Sequence, residues 1–261
     1  MPFVETKDLR MHYQVDGPEH APTLVLSNSL GTTLELWDPQ ITDFSRKFRV
    51  LRYDSRGHGR TTVTLGEYSV ELLAKDVIAL MDALNIERAH FCGLSIGGMT
   101  GMWLGANAAA RLNKLVLCNT SVKIGTVESW KARIDAVRQG GMKNVAESVI
   151  ERWFTADFRA REPIAVAQTR KMIEGTDASG YMASCAAVRD FNFGDHLREI
   201  GAPTLVVAGA KDPATTPADG QRLAGQIPGA KYVELNAAHI SNVEEAKHFT
   251  EHVGAFLEDR G

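Results

Sequence analysis

Three side chains set far apart in this 261-residue chain could together make an alcohol nucleophilic. Ser95 stands in Gly93-Leu94-Ser95-Ile96-Gly97, at the end of the apolar run Ala89-His90-Phe91-Cys92 and the start of a segment that reads as a helix. Flanking glycines let a chain take a strained strand-to-helix turn that a Cβ would obstruct. The turn lifts the hydroxyl above the sheet and sets it at a helix N-terminus with free N–H groups. A serine hydroxyl is a poor nucleophile at neutral pH, so it needs a base within hydrogen-bond reach and a group that fixes the tautomer of that base. Asp212 follows the apolar run ending at Gly209, and His239 follows the run ending near Leu235. Both are therefore expected at the same sheet edge as Ser95. The competing reading of Asp212-Pro213 is the start of a turn, and that of His239 is a loop histidine without a role. His58, in Asp54-Ser55-Arg56-Gly57-His58-Gly59, is the alternative base, although its loop precedes Ser95 in the chain. His12, His20, His90, His196, His248 and His252 read as surface or core residues. Acyl transfer also requires two donors aimed at the oxyanion. The backbone N–H of Ile96 is one, and the N–H of Leu30, in the loop Asn28-Ser29-Leu30-Gly31, is chosen as the other.

The elements that must position these groups alternate along the chain. Residues 9–15 and 23–27 read as strands, 37–47 as a helix and 48–54 as a strand. Ser69 can cap a helix in which Val70, Leu73, Val77, Leu80, Met81 and Leu84 recur at spacings of three and four. The strand that delivers Ser95 and its following helix come next, then a strand over 114–120. Such an order implies a parallel sheet with helices on both faces. From 121 to about 196 the alternation stops, with helical segments at 127–140, 145–154 and 162–174 and no convincing strand. A strand at 203–209 resumes the sheet, and a strand at 231–235 and a helix at 243–257 close it. The expectation is an α/β core of residues 1–120 and 197–261 with a helical insertion, 121–196, roofing a pocket at the carboxyl ends of the strands.

Composition narrows the partner. Hydrophobic residues make up 44% of the chain and charged residues 23%, with a net charge of -3. No basic field invites nucleic acid or an anionic membrane, so the expected partner is a diffusible small molecule. No apolar run approaches the roughly 20 residues of a bilayer span, and the N-terminus lacks a basic stretch followed by an apolar one, which predicts a cytoplasmic protein. Cys92, Cys118 and Cys185 are odd in number and lack metal-ligand spacing, which favours reduced thiols. Serine chemistry supplies its own nucleophile and proton carrier, so no metal or organic cofactor is implied. A monomer or small homo-oligomer is expected.

The chain order Ser95, Asp212, His239 is that of the α/β-hydrolases rather than of chymotrypsin-like or subtilisin-like proteases. The whole chain resembles that superfamily, and more narrowly the 3-oxoadipate enol-lactonases of the β-ketoadipate pathway. The matching stretches are Leu26-Ser27-Asn28-Ser29-Leu30-Gly31-Thr32, Leu51-Arg52-Tyr53-Asp54-Ser55-Arg56-Gly57-His58-Gly59, Phe91-Cys92-Gly93-Leu94-Ser95-Ile96-Gly97-Gly98 and Leu117-Cys118-Asn119-Thr120. Arg152-Trp153-Phe154-Thr155 and Ala238-His239-Ile240-Ser241-Asn242 extend the match. Asn28-Ser29 stands where most superfamily members carry His-Gly, which fits the lactonase group better than a generic esterase. Two positions depart from the pattern: Ile96 where Met is usual, and Arg60 where a small residue follows the Gly-His-Gly turn. The first is expected to reshape the pocket wall, the second to alter loop packing or charge near the entrance. The resemblance implies an α/β-hydrolase fold, a mostly parallel sheet flanked by helices, with a helical cap inserted after the sixth strand. It also implies hydrolysis of a five-membered enol lactone bearing a free carboxymethyl group. A carboxylate held away from water wants a cation, preferably a bidentate arginine. Trp130 and Arg133, three apart on one helix, would share a face, with Trp130 an indole N–H donor or wall and Arg133 the carboxylate partner. Arg152 and Trp153 would flank the same roof; the competing reading of these arginines is a solvated surface. Two other functions suit the same residues: a carboxylesterase or cofactor-free perhydrolase, and a non-catalytic small-molecule receptor on a hydrolase fold.

Overall fold

The structure, a computed structural model, describes residues 2–6 and 8–259. Eight strands form one sheet: β1 Phe3–Glu5, β2 Arg10–Asp16, β3 Thr23–Ser27, β4 Arg49–Tyr53, β5 Ala89–Leu94, β6 Leu112–Cys118, β7 Thr204–Gly209 and β8 Lys231–Leu235. Their order is β1-β2-β4-β3-β5-β6-β7-β8. β1 and β2 pair antiparallel, as do β2 and β4, and every pairing from β4 to β8 is parallel. Parallel neighbours need crossovers, and helices covering both faces turn the central strands into unbroken apolar runs. Leu24-Val25-Leu26, Phe91-Cys92 and Leu115-Val116-Leu117 are all buried, whereas edge strand β8 exposes Lys231 and Glu234, charges that discourage further pairing. Cys92 and Cys118 face each other across β5 and β6 with sulfurs 3.7 Å apart, and all three cysteines are buried free thiols.

Helices α1 Asp38–Phe44, α2 Val70–Ala83 and α3 Ile96–Asn107 lie in the connections from β3 to β4, β4 to β5 and β5 to β6. α2 starts where Ser69 accepts a hydrogen bond from the Leu72 N–H, and it buries Val70, Leu73, Val77, Leu80 and Met81, the stripe that its spacing predicts. Between β6 and β7 stand α4 Val127–Gly140, α5 Lys143–Trp153, α6 Ala156–Arg161, α7 Pro163–Gly175 and α8 Ala178–Asp190. α9 Pro217–Gln226, α10 Ser241–Glu244 and α11 Ala246–Glu258 complete the chain. None of the described helices is long and apolar enough to cross a membrane.

The expected helix at 243–257 is in fact two, since Glu245 leaves the helical region at ψ 45° and lets α10 turn into α11. α6, α8, α9 and the short β1 escape the sequence reading. α8 is rich in Ala, Ser, Gly and Cys and is buried nearly all round, so it lacks the polar face that periodicity detects.

Candidate active site

Ser95 links β5 directly to α3 with φ 59° and ψ -113°, a conformation that costs a non-glycine residue about 1–3 kcal/mol. Three main-chain bonds hold it there. Its N–H donates to the Cys118 carbonyl (2.9 Å), while its carbonyl accepts from Thr120 Oγ1 (2.8 Å) and from the Met99 N–H (3.0 Å). The flanking glycines are required by contact: a Cβ on Gly93 would lie 2.1 Å from the Gly97 oxygen, and one on Gly97 would lie 2.4 Å from the Ser27 oxygen. The Ser95 hydroxyl makes no hydrogen bond among the described residues and opens on a cavity of about 60 Å³ that His239 also lines. Such contacts often close only when substrate is bound. Ile96 is the first residue of α3, so its amide has no partner inside the helix.

His239 and Asp212 meet on loops from β8 and β7. His239 Nδ1 lies 2.7 Å from Asp212 Oδ2, and both residues are buried. The same carboxylate accepts from Asn119 Nδ2 (3.0 Å) and Thr215 Oγ1 (2.6 Å) at Oδ2, and from the Ala214 (2.8 Å) and Thr215 (3.1 Å) amides at Oδ1. Burial pushes the Asp212 carboxyl up, but His239 and the Thr215 and Asn119 hydrogen bonds outweigh it and hold the group well below the usual carboxylate range. A carboxylate that stays charged accepts from Nδ1–H and leaves the Nε2 lone pair free to take a proton. The histidine loop is tied on both sides: the Ala238 N–H donates to Glu244 Oε2 (2.9 Å) and the Ile240 N–H to the Trp153 carbonyl (3.1 Å).

Across the cavity Leu30 follows β3, and the next amide, that of Gly31, is already committed to His58 Nε2 at 2.9 Å. Asn28 anchors this loop, donating to the Tyr53 carbonyl (2.8 Å) and accepting from Trp37 Nε1 (2.9 Å). The remaining wall includes Trp130, Arg133, Arg152, Trp153 and Tyr181. The Arg133 guanidinium stacks 4.7 Å from the Trp130 ring centroid. Burial lowers the pKa of Arg152, and the charge of Arg133 lowers it further. Among the described residues neither arginine has an ion-pair partner. A larger groove of about 500 Å³, between the 33–39 segment and α7, holds none of these groups.

The family profile for the alpha/beta hydrolase fold matches residues 22–246. The chain belongs to that family. Within it, the chain is 40% identical to 3-oxoadipate enol-lactonase 2 of Acinetobacter baylyi, over 96% of this chain and 94% of that protein. It is 38% identical to 3-oxoadipate enol-lactonase 1 of the same organism, over 94% of this chain and 91% of that one. The crystal structure of the enol-lactonase from Burkholderia xenovorans LB400 superposes with a TM-score of 0.97 at 46% identity, covering 99% of this chain and 100% of that one. The resemblance carried by the motifs is thus borne out.

The hydrolase brings together every residue singled out from its sequence: Ser95, His239, Leu30, Trp130, Arg133, Arg152 and Trp153 line one cavity, Ile96 adjoins Ser95, and Asp212 stands behind His239. Two of the open alternatives can be compared with the structure. Trp130 has no indole N–H to offer a ligand, because Nε1 already donates to the Ile124 carbonyl at 2.6 Å, which leaves it as a wall. Arg60 takes part in loop packing: its amide donates to Asp54 Oδ2 (2.9 Å) and its guanidinium lies 5.0 Å over the Phe3 ring. His58 is occupied at both nitrogens, with Arg56 O 3.1 Å from Nδ1, and has none free for general-base work. Asn119 and Tyr181 carried no assigned role. Asn119 sits in the quoted Leu117-Cys118-Asn119-Thr120 at the end of β6, where a sheet-edge polar residue was the available signal. Tyr181 lies on the unanticipated α8, and burial pushes its hydroxyl up to about 12 against the nearby Arg133 charge.

Proposed function

We propose that this hydrolase uses Ser95, His239 and Asp212 as a catalytic triad to open a small lactone ring that bears a free carboxylate, 3-oxoadipate enol-lactone giving 3-oxoadipate. The observation that carries the reading is the pair of guanidiniums, Arg133 and Arg152, in the cavity that also holds Ser95 and His239. An arginine that faces a cavity and has no ion-pair partner is suited to an anionic ligand. The names of the two Acinetobacter relatives and of the Burkholderia structure agree with it.

Ser95 Oγ attacks the lactone carbonyl while His239 Nε2 takes its proton, and Asp212 stabilises the imidazolium. The tetrahedral oxyanion rests on the Leu30 and Ile96 amides. Collapse breaks the ring C–O bond, and the departing enol oxygen takes the proton back from His239. A water molecule, deprotonated by the same imidazole, then hydrolyses the acyl-enzyme to a second carboxylate, and the released enol tautomerises to the ketone. The leaving group stays tethered to the acyl part, so one compact cavity serves both. In this scheme residues 121–196 act as a cap over the core formed by 1–120 and 197–261, and supply Trp130, Arg133, Arg152 and Trp153 to the substrate.

The test supplies enzymatically generated enol lactone and follows its loss by absorbance beside a neutral short-chain ester. Preference for the lactone supports the reading, and equal or better turnover of the neutral ester identifies a general carboxylesterase instead. A serine-reactive phosphonate that fails to label Ser95 identifies a receptor.

A further inference from the structure

We propose that His58 is a positioning residue of the oxyanion hole: it locks the turn 29–32 that presents the Leu30 N–H, and Thr176 grips the same turn from the helices between β6 and β7. The inference rests on the serine-hydrolase reading above but not on the identity of the substrate.

The turn is defined by its own bonds. The Thr32 N–H (3.2 Å) and Thr32 Oγ1 (2.7 Å) both donate back to the Ser29 carbonyl, which belongs to the same peptide plane as the Leu30 N–H. Fixing that carbonyl fixes the direction of the amide offered to the oxyanion. Gly31, third in the turn, has φ +81°, the sign that a type II turn demands there and that a type I turn forbids. The two forms differ by a flip of the Leu30–Gly31 peptide, which leaves the Ser29–Leu30 plane unturned but swaps the Gly31 N–H for the Leu30 carbonyl on the side facing His58, so whatever holds the Gly31 N–H keeps the whole turn, and with it the Leu30 N–H, seated in its place. His58 Nε2 holds it, at 2.9 Å.

A ring nitrogen that accepts carries no proton, so the His58 proton must be on Nδ1, and Nδ1 lies 3.1 Å from the Arg56 carbonyl, where it can donate. Both bonds are satisfied only by the neutral ring in this one tautomer. Burial supports that state by lowering the pKa of the imidazole, against the Arg56 carbonyl and the charges of Asp54 and Asp177. On the other side, the Gly31 carbonyl accepts from Thr176 Oγ1 at 3.2 Å, a hydroxyl whose single proton is shared with the Met172 carbonyl at 2.9 Å. This second arm is the weaker one. The Tyr181 ring closes the space, 3.0 Å from where a Cβ on Gly31 would lie.

The experiment compares wild type with His58→Leu, which removes the acceptor, and His58→Gln, whose amide oxygen can replace it. The readouts are kcat on p-nitrophenyl acetate per phosphonate-titrated Ser95, KM, and Tm. His58→Leu is expected to lower kcat about 10- to 100-fold, the scale of a misplaced oxyanion donor, with KM changed less than about threefold, and His58→Gln to recover most of the loss. Unchanged kcat in His58→Leu overturns the proposal, as does a Gln variant no better than Leu, because a filler of the core would answer to size and Tm rather than to an acceptor. Thr176→Val should lower kcat by a few-fold and Thr176→Ser restore it. If His58→Leu does not fold, that pair decides the matter, and a Val variant with wild-type kcat overturns the clamp. Wild-type protein that neither labels nor turns over the ester sinks the serine-hydrolase reading itself.

Discussion

Arg133 lies against one face of the Trp130 ring and looks into the cavity without a carboxylate beside it. Its role separates an anion-binding pocket from a neutral one. Arg133→Ala should lower kcat/KM for the carboxylated lactone by roughly 2–4 kcal/mol of transition-state binding and leave a neutral ester nearly untouched. Equal losses on both substrates would make it a packing residue. Asp212 is the second test at this scale, since its carboxylate gathers His239, Asn119, Thr215 and Ala214. Asp212→Asn replaces one acceptor oxygen with an NH2 donor that faces other donors and reverses the imidazole tautomer, and kcat per titrated site should fall by about 10³–10⁴. Retention of a tenth of the activity would remove Asp212 from the mechanism. Ser95, Asp212 and His239 were legible in the sequence because each needs only to stand just past a strand, in a telling order. Asn119 and Tyr181 were not, because what they do exists only through partners brought in from distant parts of the chain.

Elements show the same division. α2 was readable from its serine cap and apolar stripe, and every strand but β1 from its short pattern of apolar residues, because these signals are local. α8 was hidden by burial on nearly every side, and α10 by its four-residue length. Yet α10 carries Glu244, whose carboxylate accepts from the Ala238 N–H beside His239 and from the Thr155 N–H (3.3 Å) and hydroxyl just after α5. One side chain thus staples the histidine loop to the segment that follows α5. Hydrogen bonds to a charged group contribute about 1.5–3 kcal/mol each and those that exposure rescues contribute less, so Glu244→Ala should cost about 2–4 kcal/mol of unfolding free energy by urea titration. The loosened loop should also lower kcat more than it raises KM. A variant as stable as wild type would show that the loop is held by the Ile240 to Trp153 bond alone.

At the scale of the whole molecule, stability against acid depends on groups that the folded sheet keeps from ionising. His90 on β5 lies edge-on to Phe48, with ring centroids 5.8 Å apart, and its Nδ1 has no hydrogen-bond partner. Burial, and then the nearby Lys114 charge, lower its pKa from 6.5 to about 4. Between those two values the unfolded chain binds a proton that the native protein refuses, so stability falls as pH drops from about 6.5 and this contribution levels off below about 4. His58, also lowered by burial, acts in the same direction. Asp212 acts later and for the opposite chemical reason: its depressed carboxyl adds stability that is intact above the ordinary carboxylate pKa and is lost as pH falls toward the folded value. Urea midpoints taken across this range should therefore descend in two stages. His90→Phe keeps an aromatic ring against Phe48 but has nothing to protonate, so it should flatten the first descent and leave the second. An unaltered slope between pH 6.5 and 4 in that variant would mean that His90 gains access to water in the native protein, and would assign the first stage to His58.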